Sequence, residues 1–147
     1  MKKSLLIFAV AAVLVGATTR ANAAVNQKVL TSFKSVFVHA SNVNWYEYSD
    51  HFQASFNQDG MMIKVSYDKE GNLLNSIRYY KEQQLPLNIL YRVKKKYADK
   101  KVDIVTEVSN ADGTVFFIQL EDAKSFTIVK TDSSGEMTVT DSFNKIP

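Results

Sequence analysis

Apolar and polar positions alternate in two long stretches, Met61 to Tyr80 (MMIKVSYDKEGNLLNSIRYY) and Ser125 to Phe143 (SFTIVKTDSSGEMTVTDSF). Each reads as a β-hairpin, because a period of two places successive side chains on opposite faces of a sheet. The joining turns are Asp68-Lys69-Glu70-Gly71 and Asp132-Ser133-Ser134-Gly135, and both Asp68 to Asp132 and Gly71 to Gly135 are steps of 64 residues. A helical period recurs as well. Leu30, Phe33 and Phe37 stand at i, i+3 and i+7, with Val29 and Val36 widening the stripe; Leu90, Val93 and Tyr97 repeat that spacing 60 residues later. The spacing predicts one helix over Lys28–Phe37, capped by Asn26, and another from Leu87. Pro86 suits the first turn of the second helix, where its missing N–H costs nothing.

Four strand-like runs follow each helix. They are Val43–Tyr48, His51–Asn57, Met61–Tyr67 and Leu73–Tyr80, then Val102–Val108, Thr114–Glu121, Lys124–Lys130 and Glu136–Phe143. Their connectors are short and rich in turn residues, which forces neighbouring strands to be antiparallel. The fold class expected is α+β. Two tandem helix–four-strand repeats, residues 25–80 and 85–143, form an antiparallel sheet of about eight strands. Both helices pack on one face and the other face stays open. Alternation assigns Val43, Trp45, Phe52, Ala54, Phe56, Met61, Ile63, Val65, Tyr67, Leu73, Ile77 and Tyr79 to the packed face of the first half. In the second half it assigns Val102, Ile104, Phe116, Ile118, Leu120, Phe126, Ile128, Met137, Val139 and Phe143. A helix stripe and a sheet face each need a cover, and each supplies the other's. Trp45 is expected to contribute most to the core.

The amino terminus changes the charge balance. Lys2 and Lys3, the apolar run Leu5–Val15 and the small residues Ala21-Asn22-Ala23 have the form of a secretory signal peptide cleaved after Ala23. The expected mature domain is residues 24–147, periplasmic or secreted, with no membrane span. The whole chain has 18 Lys and Arg against 15 Asp and Glu. Lys2, Lys3 and Arg20 account for that excess, so the remainder is neutral. A neutral domain lacks the basic surplus that nucleic-acid binding normally requires. With no cysteine in the chain, thiol catalysis and cysteine metal sites are excluded.

Candidate chemistry is sparse. His39 and His51 have no companion ligand at metal-binding spacing. Asp68-x-x-Gly71 and Asp132-x-x-Gly135 offer too few oxygens for a calcium loop and read as turn chemistry. Arg92, Lys94, Lys95, Lys96, Lys100 and Lys101 form a basic stretch. It would suit an anionic surface, but also a solvated helix whose last-turn cations complement its dipole. No nucleophile elbow and no phosphate loop is present. No enzyme, cofactor or metal is expected.

The open face holds the remaining candidates. Tyr46, Tyr48, Lys64, Arg78, Tyr80 and Phe117 are expected there, and aromatics with Arg are the residue types that dominate interfaces. The hairpin tips at Asp50, Asp59 and Asp112 lie beside them.

Asn42-Val43-Asn44-Trp45, Phe52-x-Ala54-x-Phe56, Val65-x-Tyr67-Asp68-x-x-Gly71 and Leu85-Pro86 opening a helix that ends Lys95-Lys96-Tyr97 together resemble the secreted PepSY-like proteins of Bacteroidetes-type bacteria. Those are described as similar in fold to the β-lactamase inhibitor proteins. The likeness runs from about Val25 to Phe143, although Ile104 stands near where a second Trp would repeat Trp45. It implies helices on one sheet face and an open, concave face that in the inhibitor proteins grips an enzyme. The expected function is therefore an exported, non-enzymatic binding protein that holds a protein or peptide, with inhibition of a secreted or envelope enzyme as one form. The alternatives are an envelope assembly protein that self-associates through sheet edges and, with the least support, a small-ligand carrier.

Overall fold

The computed structural model describes residues 24–146. The expected signal peptide lies outside the described residues. Helix α1 (Gln27–Val36) precedes strands β1 (Ser41–Glu47), β2 (His51–Gln58), β3 (Met61–Asp68) and β4 (Leu73–Tyr80). A short 3-10 turn, Glu82–Gln84, leads to α2 (Leu87–Lys96), then β5 (Lys101–Asn110), β6 (Gly113–Glu121), β7 (Ser125–Asp132) and β8 (Met137–Asn144). The strands form one sheet in the order β1 to β8, each antiparallel to its sequence neighbour.

The helices begin where the sequence places their signals. Asn26 caps α1: its Oδ1 accepts from the Val29 N–H at 3.0 Å, and its Nδ2 donates to the Lys69 carbonyl at 2.8 Å, tying the helix start to the β3–β4 turn. Pro86 is the N-cap of α2, one residue earlier than expected. The stripes are centred on Val29 with Phe33 and on Ile89 with Val93; Val36 is 63% exposed.

Register shows that both helices cover the same face. Val29 and Phe33 pack on Ile63 and Val65 of β3. Ile63 pairs with Arg78 of β4, and Tyr80, two residues on, pairs with Val105 of β5. Cross-strand partners share a face, and Tyr80 and Val105 pack with Ile89 and Val93 of α2. Two apolar clusters result, one under each helix, and Met61 touches both. Their burial is the main stabilising term, at about 25 cal/mol per Å2 of apolar surface.

The first cluster centres on Phe33. Its ring lies 5.3 Å from Phe37, 5.1 Å from Trp45 and 5.0 Å from Phe56, the last two edge-to-face. Trp45, on an edge strand, is only partly buried. The larger share of that core therefore belongs to Phe33, against the expectation for Trp45.

Four register shifts interrupt the ladders; the one at the start of β1, between Ser41–Asn57 and Asn44–Ser55, leaves the candidate residues in place, and the other three move residues from one face to the other. Between β3 and β4 the register jumps from Tyr67–Leu73 to Ser66–Asn75, leaving Leu74 as an extra residue. Asp103 is the extra residue between Val102–Leu120 and Ile104–Gln119, and Thr140 between Val129–Val139 and Ile128–Asp141. A one-residue slip inverts every side chain beyond it. Ile77, Tyr79, Ile104 and Phe143 therefore lie on the open face, whereas Arg78, Tyr80 and Val105 lie on the helix side. Strand β7 is inverted for another reason. Both its faces are apolar, and pairing of Ile118 with Val129 turns Val129 and Thr127 inward and Phe126 and Ile128 outward.

Candidate interaction surface

Arg78 and Tyr80, expected on the open face, form instead a polar seam on the helix side. The Tyr80 ring is 4% exposed. Its hydroxyl donates to Glu107 Oε2 at 2.6 Å, and Arg78 Nη1 lies 3.3 Å from Glu107 Oε1. Burial, and then the Glu107 carboxylate beside it, push the Tyr80 phenol well above its ordinary range. Ser76, 7% exposed, continues this seam. Tyr80, Arg78 and Glu107 satisfy one another at the boundary of the two clusters.

The other face is built row by row from the ladders. One row crosses the sheet as Asn57, Met62, Tyr79, Thr106, Phe117, Lys130 and Thr138. The next runs Ser55, Lys64, Ile77, Val108, Val115 and Asp132. A third begins at the bulge with Ile104, Gln119 and Ile128. A band of apolar and aromatic side chains thus occupies the centre, with Lys64 and Lys130 at its margins. Lys64 Nζ stands 5.9 Å from the centroid of the Tyr79 ring. Met62 is 42% exposed; the other apolar members are half-buried against each other. Among the described residues no element covers this band.

Of the six predicted residues, Tyr46, Lys64 and Phe117 stand on the open face; Tyr46 pairs with Gln53 near the β1 edge. Tyr48 lies at the β1–β2 hairpin, stacked on His51 with ring centroids 4.4 Å apart. Met62, Ile77, Tyr79, Ile104 and Ile128 are the members that alternation missed or misplaced. At the end of the sheet nearest the β2–β3 turn, a shallow cavity of about 490 Å3 opens beside them, lined by Asn57, Gly60, Met61, Met62, Tyr79, Tyr80, Lys81 and Ile104.

The turn aspartates are engaged locally. Asp68 accepts from the Asn72 side-chain amide at Oδ2 and from the N–H groups of Asn72 and Glu70 at Oδ1, and Asp132 Oδ1 accepts from the Ser134 hydroxyl and then from its N–H. These bonds hold both carboxyls below their ordinary range. Among the described residues no three His, Asp or Glu side chains gather closely enough to hold a metal ion, and no helix is long and apolar enough to cross a membrane.

No family model and no curated protein matches the chain. Its fold does match solved structures. A BLIP-like protein from Bacteroides fragilis superposes with a TM-score of 0.60 at 20% identity, over 82% of this chain and 84% of that one. A DUF2874 family protein from Bacteroides uniformis gives 0.59 at 17%, over 81% and 88%. A candidate periplasmic protein from Bacteroides eggerthii gives 0.60 at 16%, over 83% and 90%. The chain thus has a BLIP-like fold: one open antiparallel eight-stranded sheet with two helices.

Proposed function

We propose that this chain with a BLIP-like fold is an exported, non-enzymatic binding protein of PepSY-like type, holding a protein or peptide on its open sheet face. The supporting observation is the uncovered band of Met62, Ile77, Tyr79, Val115, Phe117 and Ile128. A contiguous exposed apolar-aromatic patch on a soluble fold marks a partner site, and aromatic side chains carry most interface energy. The adjoining cavity, with its two methionines, gives one partner side chain an adaptable seat. Inhibition of a secreted or envelope enzyme is one form of this role.

The test is a pull-down from periplasmic extract with wild-type protein and with Tyr79→Ser/Phe117→Ser. A partner recovered by the wild type and lost by the double variant supports the open face. The same partner held equally by both removes that face from contention. A panel of secreted hydrolases then tests inhibition.

A second function is favoured by β8. This edge strand is exposed along most of its length, with Val139 and Phe143 half-exposed, and such edges template strand addition. Self-association there predicts a molecular mass in solution that rises with concentration. A monomer at high concentration opposes it.

A further inference from the structure

We propose that the helix layer, on the side away from the open face, is a docking surface for an anionic lipid bilayer. Helices α1 and α2 carry Lys28, Lys34, Arg92, Lys94, Lys95 and Lys96 and not one Asp or Glu. All six cations are exposed. The rest of the described chain balances them with 9 Lys and Arg against 15 Asp and Glu. Neutrality therefore conceals segregation: a net +6 sits on the helices and a net −6 on the strands and connectors. Lys94 has a partner in Glu82 at 2.6 Å; the other five have no ion pair among the described residues.

A helix dipole accounts for only part of this. It favours cations in a last turn, as at Lys34 and Lys94 to Lys96. It disfavours Lys28, the second residue of α1. It has no bearing on Leu87 and Tyr91, which are 79% and 66% exposed. At ~100° per residue these two project about 160° and 200° around the axis from core-facing Ile89. Lys94 and Lys95, at about 140° and 240°, flank them. Two apolar side chains one turn apart, flanked by Lys94 and Lys95, form an outward face of the kind that suits a membrane interface. An aromatic such as Tyr91 suits the headgroup level. An acidic polysaccharide would use the charges and leave the more exposed Leu87 idle, so the observations favour lipid. Register places both helices on one sheet face. Lys28 and Lys34 of α1 and Lys94 and Lys95 of α2, each more than about 100° from its helix's core direction, therefore project away from the sheet on the same side, and a docked molecule turns its open face away from the bilayer.

The experiment is vesicle co-sedimentation of protein purified from the periplasmic fraction. It compares vesicles of phosphatidylglycerol and phosphatidylcholine with vesicles of phosphatidylcholine alone, at low and high salt. Wild type should sediment with the anionic vesicles at low salt, and not with the neutral ones. High salt should release it. Each cation near an anionic surface strengthens partitioning about fivefold, so Lys34→Glu/Lys95→Glu should weaken it at least ~25-fold by the same rule. Leu87→Ser/Tyr91→Ser should also weaken it. These positions are exposed, and a thermal melt by circular dichroism confirms that the variants fold. No sedimentation at low salt overturns the proposal, as does unchanged partitioning of the folded Lys34→Glu/Lys95→Glu protein. Unchanged partitioning of Leu87→Ser/Tyr91→Ser, with full displacement by dextran sulfate, also overturns it in favour of a soluble polyanion. Tyr79→Ser/Phe117→Ser should bind vesicles like wild type, which separates this test from that of the open face.

Discussion

Replacing Tyr80 by Phe tests the seam between the two apolar clusters. The ring is 4% exposed and keeps its packing in the variant. What is lost is one hydroxyl, and with it the 2.6 Å bond to Glu107 Oε2. A hydrogen bond to a charged group contributes about 1.5–3 kcal/mol. Glu107 retains Arg78 at 3.3 Å, and its side chain is 13% exposed, so water reaches it. The expected loss is therefore toward the lower end, about 1.5 kcal/mol. Urea denaturation at neutral pH measures it as a fall in the transition midpoint without a change in slope. The phenol's raised pKa adds a second signature. Its neutral form is favoured in the folded state, so its contribution is complete below the unfolded-state value of about 10 and is lost as pH rises above it. Wild type should lose stability on the alkaline side more steeply than Tyr80→Phe. Equal stability at neutral pH, together with superimposable alkaline limbs, would refute the seam's role.

Other substitutions probe the rest of the fold. Phe33→Ala should cost about 3–5 kcal/mol, as for a large aromatic removed from a core, and Trp45→Ala less; denaturant midpoints in the reverse order would contradict the central place given to Phe33. Gly71 and Gly135 have φ of 92° and 82°. A Cβ at Gly71 would lie 3.0 Å from the Lys28 carbonyl oxygen, whereas at Gly135 it would meet the flexible Arg92 side chain. Gly71→Ala should therefore lower the melting temperature more than Gly135→Ala, since backbone yields less readily than a side-chain end. Asp122 is held well below its ordinary pKa, first by Lys100 and then by the N–H of Lys124 and by Ser125. Its stabilising contribution is present above the unfolded value of about 3.9 and disappears as pH falls below it. Asp122→Asn should lower the melting temperature at neutral pH and flatten its fall below pH ~4; an acid limb identical to wild type would contradict this.

The elements themselves were legible because each has a local cause. Asn26 announces the first helix by its side-chain bond to Val29, and Gly71 and Gly135 announce turns through positive φ. The face of a strand has no comparable local cause. Alternation places Ile77 and Tyr79 inward from Leu73, but the extra residue Leu74 reverses them, and nothing in LLNSIRYY marks it. Asp103 does the same to Ile104 and Val105. In β7 the heavier apolar pair, Phe126 and Ile128, faces outward, because the β6 ladder commits Val129 to the core. Such choices are made by the neighbouring strand. Consequently Tyr46, Lys64 and Phe117 were read on the correct side, while Tyr79 and Tyr80 were exchanged. The basic stretch was legible too. That both helices turn their outward cations the same way required the register.

The uninterrupted β1-to-β8 order sets the kinetics of self-assembly. Every ladder links consecutive strands, and six of the seven close through a short turn; β4–β5 alone spans a longer segment, which holds α2. Local pairings of this kind shorten the search and speed folding. Hairpins can zip one after another, each laying down the template for the next. An antiparallel sheet of eight strands thereby confines its one longer closure to the junction between the two halves.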